Sequence, residues 1–259
     1  MPELTAMKGS SLRVGDATLN YVTSGTENGP TVVVLHGGMG CLNDIAELVR
    51  CIPEDMRVIA MEFRGHGRST LGSEPLSYAR YQHDVEAVLE HLGVERFSVV
   101  GFSDGGIVAY RLAAAHPDSV KRIITLGAQW RLSPDDPSLP LLQSLDRNMW
   151  LEMFPDALDL YESRNPEPDF DALLAAVRDL WTDHGPSGYP AETVAQITAP
   201  LLIIRGDNDP LFSVEEAVAL QAKVSGAALL NIPFAGHEVH KEAEQIVGMY
   251  VSRFLALQS

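Results

Sequence analysis

Two hydrophobic periods alternate along the chain. Short apolar runs occur at Thr31–Leu35, Arg57–Met61, Phe97–Val100, Arg122–Leu126, Leu201–Ile204 and Ala228–Ile232. Most are rich in β-branched residues and end at Gly, Pro or a charge, the pattern of parallel strands covered on both faces. Upstream, Ser11–Val14 and Thr18–Thr23 predict an antiparallel hairpin turning at Gly15-Asp16. Between the runs the apolar spacing becomes helical. Tyr81, Val85, Val88, Leu89 and Leu92 form one stripe in Ser77–Leu92, with Ser77 placed to cap the start and Gly93 to end it. Ile107–Ala115 predicts a second helix, stopped by His116-Pro117. Glu215–Lys223 and Val239–Leu257 predict two more. Eight strand signals alternating with helices imply an α/β fold: a mostly parallel, doubly wound sheet with helices on both faces.

One stretch breaks the rhythm. From Trp130 to about Ala199 no strand pattern appears, and prolines such as Pro134, Pro155, Pro168 and Pro186 punctuate short helical pieces, of which Asp169–Trp181 is the clearest. It reads as a small helical cap insert, residues 130–198, between two parts of one core, residues 1–129 and 199–259.

Composition narrows the function classes. The apolar fraction of 46% suits a full core. The start, Met1-Pro2-Glu3-Leu4-Thr5, lacks the basic and apolar regions of a signal peptide, and no window holds the ~18 apolar residues of a membrane helix. No membrane partner is expected. Two cysteines, Cys41 and Cys51, make no disulfide framework, although a single bridge between them stays open; a reducing cytoplasm is the expected location. The net charge of −16 repels polyanions, so nucleic acid is not an expected partner.

The chemistry centres on Val99-Val100-Gly101-Phe102-Ser103-Asp104-Gly105-Gly106-Ile107. Gly-x-Ser-x-Gly between a strand and a helix is the pattern of a nucleophile elbow, a sharp turn that lifts the serine Oγ clear of the sheet. Side chains two residues either side would collide, which explains Gly101 and Gly105. The helix that follows turns its positive dipole end toward developing negative charge. A serine hydroxyl needs a base, and the base an orienting acid, in chain order Ser, acid, His. The strand Leu201–Ile204 runs into Arg205-Gly206-Asp207-Asn208-Asp209-Pro210, and the strand Ala228–Ile232 into Pro233-Phe234-Ala235-Gly236-His237. Both ends lie beyond strand C-termini, where open α/β sheets bind ligands. Asp209 is preferred as the acid because it stands farther out and Pro210 fixes its turn; Asp207 is expected to cap that turn. His237 is preferred over His240, which would sit, exposed, inside the last helix. In Leu35-His36-Gly37-Gly38-Met39-Gly40 the glycines let backbone N–H groups approach an oxyanion. The expected hole is the N–H of Asp104 with that of Gly38, Met39 being the rival, and His36 is expected to brace the loop. Such donors contribute about 3–4 kcal/mol each to the transition state. Phe63–Ser69 reads as a structural turn carrying surface charge. No metal-ligand spacing such as His-Glu-x-x-His occurs, so neither metal nor other cofactor is expected.

His36-Gly37-Gly38, Arg64-Gly65-His66-Gly67-Arg68-Ser69, the elbow, Gly206-Asp207-Asn208-Asp209-Pro210 and Gly236-His237 together resemble the α/β-hydrolase superfamily over nearly the whole chain. The resemblance implies the α/β-hydrolase fold with a cap at the insert, and a catalytic Ser103, Asp209 and His237. A serine at 103 departs from haloalkane dehalogenases and epoxide hydrolases, which use aspartate there. Asp104-Gly105-Gly106 and Trp130 look similar to the biphenyl hydrolase-like esterases (the valacyclovir hydrolase type), whereas His36 and Phe102 depart from them. In that group the acid after the serine holds a substrate α-amino group, which would make Asp104 substrate-binding. Residues 131–195 hold thirteen acids against four bases, a net of −9. Such a cap would attract cationic substrates; a solvated acidic surface explains the same count.

The function expected is a serine carboxylesterase for small esters, with α-amino acid esters a candidate subclass. Alternatives are a lactonase, a carbon–carbon bond hydrolase or a cofactor-free perhydrolase, and, in another class, a hydrolase-like small-molecule receptor with little turnover. The sequence leaves the oligomeric state open.

Overall fold

The computed structural model describes residues 9–257; the Met1–Thr5 start lies outside them. Eight strands form one sheet: β1 (Ser10–Val14), β2 (Ala17–Gly25), β3 (Thr31–Leu35), β4 (Arg57–Met61), β5 (Phe97–Phe102), β6 (Val120–Leu126), β7 (Leu201–Gly206) and β8 (Ala228–Ile232). Their order is β1-β2-β4-β3-β5-β6-β7-β8. The β1–β2 hairpin is antiparallel and joins β4 antiparallel; all other neighbours are parallel. Period-two alternation sorts each buried strand between two cores. Val33 and Leu35 of β3 face one, and Val32 and Val34 face the other.

Helices cover both faces, as the apolar runs required. The first core is closed by α2 (Tyr78–His91), α3 (Asp104–Ala115) and α8 (Val214–Lys223), the second by α1 (Ala46–Arg50), α9 (Val239–Glu242) and α10 (Glu244–Ala256). Ser77 caps α2 by accepting from the Arg80 N–H at 3.1 Å, and Gly93 closes the helix at φ +64°. Between β6 and β7 the chain runs through α4 (Leu139–Ser144), α5 (Arg147–Met153), α6 (Ala157–Glu162) and α7 (Phe170–Trp181) with no strand. Among the described residues no helix is long and apolar enough to cross a membrane. Cys41 and Cys51 are both free thiols.

Two expectations need correction. The helix expected over Val239–Leu257 is broken at Ala243, whose φ of −130° ends α9 and starts α10. The break lets α9 bury His240 while α10 packs Val247, Val251 and Leu255 on the second core. His240 is therefore not an exposed helical residue: it is 1% exposed, packs at a tilt against Phe102 and hydrogen-bonds the Asp44 carbonyl through Nε2 at 2.9 Å. In Phe63–Ser69 the surface charge expected is found at Arg68, which is exposed, but Arg64 is buried. Arg64, 1% exposed, donates to both Asp84 oxygens at 2.6 and 2.8 Å and to Asp16 at 3.0 Å. This loop thereby ties α2 to the turn of the first hairpin.

Candidate active site

Strand β5 delivers Ser103 to the C-terminal edge of the sheet, and α3 starts at the next residue. Ser103 holds φ +50° and ψ −117°, a strained backbone that costs about 1–3 kcal/mol and persists because its surroundings impose it. The flanking glycines are steric requirements. A Cβ on Gly101 would lie 2.2 Å from the Gly105 oxygen, and one on Gly105 would lie 2.4 Å from the Leu35 oxygen.

The loops after β7 and β8 bring Asp209 and His237 to the serine. His237 Nε2 lies 3.1 Å from Ser103 Oγ, and its Nδ1 lies 3.0 Å from each Asp209 oxygen. A carboxylate only accepts, so Nδ1 carries the proton and Nε2 is left to receive one from Ser103. The Asp209 side chain is fully buried and also accepts from the Leu211 and Phe212 N–H groups at 2.9 and 3.2 Å. These bonds fix the carboxylate, which fixes the imidazole. Gly127 is an unforeseen part of this arrangement: a Cβ there would sit 3.0 Å from both Asp209 Oδ2 and His237 Nδ1. Asp207 points elsewhere. Its backbone N–H donates to the Ile232 carbonyl at 2.8 Å, and its exposed side chain accepts from Asn231 Nδ2 at 2.9 Å, so both tie the turn to β8.

The loop after β3 lies across from the serine. Among the described residues, the N–H groups of Gly38 and Asp104 have no acceptor. The Met39 N–H is already given to His66 Nε2 at 3.0 Å, which removes Met39 as a rival donor. His66 Nδ1 in turn donates to the Arg64 carbonyl at 2.8 Å. His36 Nδ1 donates to the Gly37 carbonyl at 2.6 Å, and its Nε2 accepts from the Phe63 N–H at 3.0 Å. Burial, and then the neighbouring His36, lower the His66 pKa to about 3; burial lowers that of His36 as well. Two neutral imidazoles thus brace the loop, of which the sequence suggested only His36.

Asp104 is 2% exposed and lines the same cavity as Ser103. Tyr78 Oη donates to Oδ1 at 2.9 Å, and Trp181 Nε1 reaches both oxygens at 2.9 and 3.0 Å. Burial pushes the Asp104 pKa up to about 6, against the pull of these two donors and of His237. No cation pairs with it among the described residues. Neither Trp181 nor Tyr78 carried a sequence signal beyond its place in a helical stretch.

Ser103, His237 and Asp104 line a cavity of about 570 Å³. Its far wall is apolar and comes from the β6–β7 segment, through Leu141, Leu142, Leu145, Trp150, Met153 and Phe154. Of the thirteen acids counted in that segment, only Asp156 lines the cavity; the rest of the −9 is spent on other surfaces. Trp130 does not reach it: the ring is fully buried and donates to the Glu216 carbonyl at 3.2 Å.

A sequence profile for the alpha/beta hydrolase fold matches residues 30–185. The chain belongs to the alpha/beta hydrolase fold family. Within it, the chain is 24% identical over 252 residues to a Haemophilus influenzae protein named for esterase or lipase activity, covering 89% of this chain and 84% of that one. It is 28% identical over 212 residues to 2-heptyl-3-hydroxy-4-quinolone dioxygenase AqdC1 of Rhodococcus erythropolis, covering 76% and 74% of the two. Among solved structures, the alpha/beta hydrolase enzyme MGS-M2 from a Medee basin deep-sea metagenome superposes with a TM-score of 0.82 at 20% identity, over 96% of this chain and 98% of that one.

Proposed function

We propose that this hydrolase is a serine carboxylesterase that cleaves small carboxylic esters through an acyl-enzyme, without a cofactor, in the cytoplasm. One observation carries the reading: an unbroken chain of contacts from Asp209 through His237 to Ser103, beside two unoccupied N–H groups in an apolar cavity. Ser103 Oγ attacks the ester carbonyl as His237 Nε2 takes its proton. The carbonyl oxygen becomes an oxyanion held by the Gly38 and Asp104 N–H groups. His237 returns the proton to the leaving alcohol, and Asp209 holds the ring and stabilises the imidazolium. Water, deprotonated by the same imidazole, then releases the acid and frees Ser103. Residues 130–198 act as the cap that shapes the acyl and alcohol pockets.

The Asp104 carboxylate is the proposed contact for a substrate α-ammonium. Its raised pKa and its two neutral donors support this, because an ammonium would supply the missing opposite charge.

The test is hydrolysis of matched p-nitrophenyl esters, one a short acyl ester and one an α-amino acyl ester, by the parent, Ser103→Ala and Asp104→Asn. Turnover should vanish in Ser103→Ala. Asp104→Asn should lower kcat/KM for the amino ester about 10- to 100-fold, the worth of a charge-assisted hydrogen bond, and leave the simple ester nearly unchanged. Equal losses on both esters would remove the amine contact. Turnover that survives in Ser103→Ala would remove the serine mechanism, and no turnover of either ester by the parent would favour a receptor role.

A further inference from the structure

Arg164 is a cation of the cavity that no carboxylate pairs with among the described residues. It follows the last turn of α6, where its N–H donates to the Tyr161 carbonyl at 3.1 Å, and it lines the same cavity as Ser103 and His237. Its Nη1 donates to Cys41 Sγ at 2.9 Å. The Asn43 side chain, with its amide oxygen turned toward the guanidinium, accepts from Nη1 at 3.2 Å and also from Nη2. Both partners are neutral. Burial, and then the nearby Asp44, push the Cys41 thiol up to about 12, so it supplies no thiolate to balance the arginine.

The other cation of this cavity is placed differently. Lys241 meets Asp44 at 3.1 Å and Glu238 at 2.5 Å, so those two lining carboxylates are already engaged. Asp156, the remaining acid near the mouth, is exposed and forms no ion pair with Arg164, and Asp104 is held by Tyr78 and Trp181. Among the described residues no carboxylate oxygen lies within 4.0 Å of the Arg164 guanidinium. A guanidinium presents a planar fork that matches a carboxylate through two parallel hydrogen bonds; a thiol sulfur and one amide oxygen match it poorly. In a part-buried, apolar-walled cavity such a group lacks its natural partner.

We infer that Arg164 is the anchor for an anionic group of the substrate, so that the ester accepted by this site carries a free carboxylate, which docks on the guanidinium in place of Cys41 Sγ. The inference rests on the proposed esterase reading for its reaction, and on Arg164 alone for its binding. Cys41 closes the loop that holds Gly38, so the anchored group and the oxyanion donors belong to one wall. Arg164 thereby sets specificity: a neutral ester leaves the arginine with its neutral partners Cys41 and Asn43 alone, whereas the half-ester of a dicarboxylic acid brings it a carboxylate.

Monomethyl glutarate and methyl butyrate make a matched pair, with and without the carboxylate. Methanol release is measured for the parent, Arg164→Gln and Arg164→Lys, and calorimetry measures monomethyl glutarate binding to Ser103→Ala with and without Arg164→Gln. The parent should prefer the charged ester. Arg164→Gln should lose about 10- to 100-fold in kcat/KM on it, the worth of a charge-assisted bond, and less than about 2-fold on methyl butyrate. Arg164→Lys should recover part of the loss, since it keeps the charge without the fork. Binding to Ser103→Ala should disappear when Arg164→Gln is added. Equal hydrolysis of the two esters by the parent, equal losses on both in Arg164→Gln, or binding that survives Arg164→Gln would each overturn the anchor. Arg164-dependent binding without hydrolysis of either ester would sustain the anchor and reject the esterase reading.

Discussion

An Asp104→Asn variant should gain stability relative to the parent as the pH rises from 4 to 7. Asp104 is 2% exposed, and burial raises its carboxyl from the usual 3.8 to about 6. The folded protein therefore keeps this proton at pH values where the unfolded chain has released it. The stability that comes with the protonated form is fully present below 3.8 and is lost as the pH rises through about 6. The gap corresponds to about 3 kcal/mol. Asparagine cannot ionise, so it avoids this loss. Its amide oxygen can still accept from Tyr78 and Trp181, while its NH₂ lacks an acceptor, an offset that does not vary with pH. The difference in unfolding free energy, variant minus parent, should climb by about 3 kcal/mol between pH 4 and pH 7 and then level off. Urea melts of both proteins at unit pH steps measure it, and carboxylates common to the two cancel. A flat difference curve, or one that falls with pH, would refute the claim that Asp104 is ionised at a cost in the folded state. Taken with the amine contact proposed for Asp104, the residue gives up stability at neutral pH in exchange for a charge in the cavity.

Two further outcomes follow from the geometry. Asp209→Asn should lower kcat on p-nitrophenyl esters by about 10⁴-fold, because an amide leaves His237 free to adopt the wrong tautomer; a loss under 10-fold in steady-state assays would mean that another group orients the ring. Asp84→Ala should cost about 3–5 kcal/mol in urea melts by leaving the buried Arg64 charge with only the part-exposed Asp16, whereas Glu192→Ala, which breaks an exposed pair with Lys223, should cost under about 1 kcal/mol.

The sheet was legible because buried parallel strands and amphipathic helices write their periods into consecutive residues. Every strand of the core begins or ends within a few residues of its apolar run. Helix α3 starts three residues before the apolar stretch Ile107–Ala115, because Gly105 and Gly106 add no apolar signal; they let the helix approach the Leu35 backbone and Ala128. Ser103, Asp209 and His237 were visible because each sits at the end of a strand, where local pattern and position coincide. What stayed hidden depends on residues distant in the chain. Arg64 looked like surface charge until Asp84 and Asp16 closed on it from 20 and 48 residues away. Trp181 looked like one more apolar residue on α7, and its bond to Asp104 spans 77 positions. The acidic count of residues 131–195 was correct as a sum, but a sum carries no direction, and one acid of the thirteen turns toward the cavity.

Asn165 and Trp181 bear on how freely this scaffold can be rebuilt. From the segment between β6 and β7, Asn165 Nδ2 reaches the carbonyls of Gly65, Gly67 and Ser69 at 2.9–3.1 Å, and Trp181 Nε1 holds the residue after Ser103. The segment is thus stitched to two separate loops of the sheet rather than resting on it. A chimaera that exchanges residues 139–181 for those of another hydrolase would leave three carbonyls without their Asn165 donor and the buried Asp104 carboxyl with Tyr78 alone. To transplant a new specificity, the graft must bring an amide and an indole to those two points, or the recipient loops must be recoded with it.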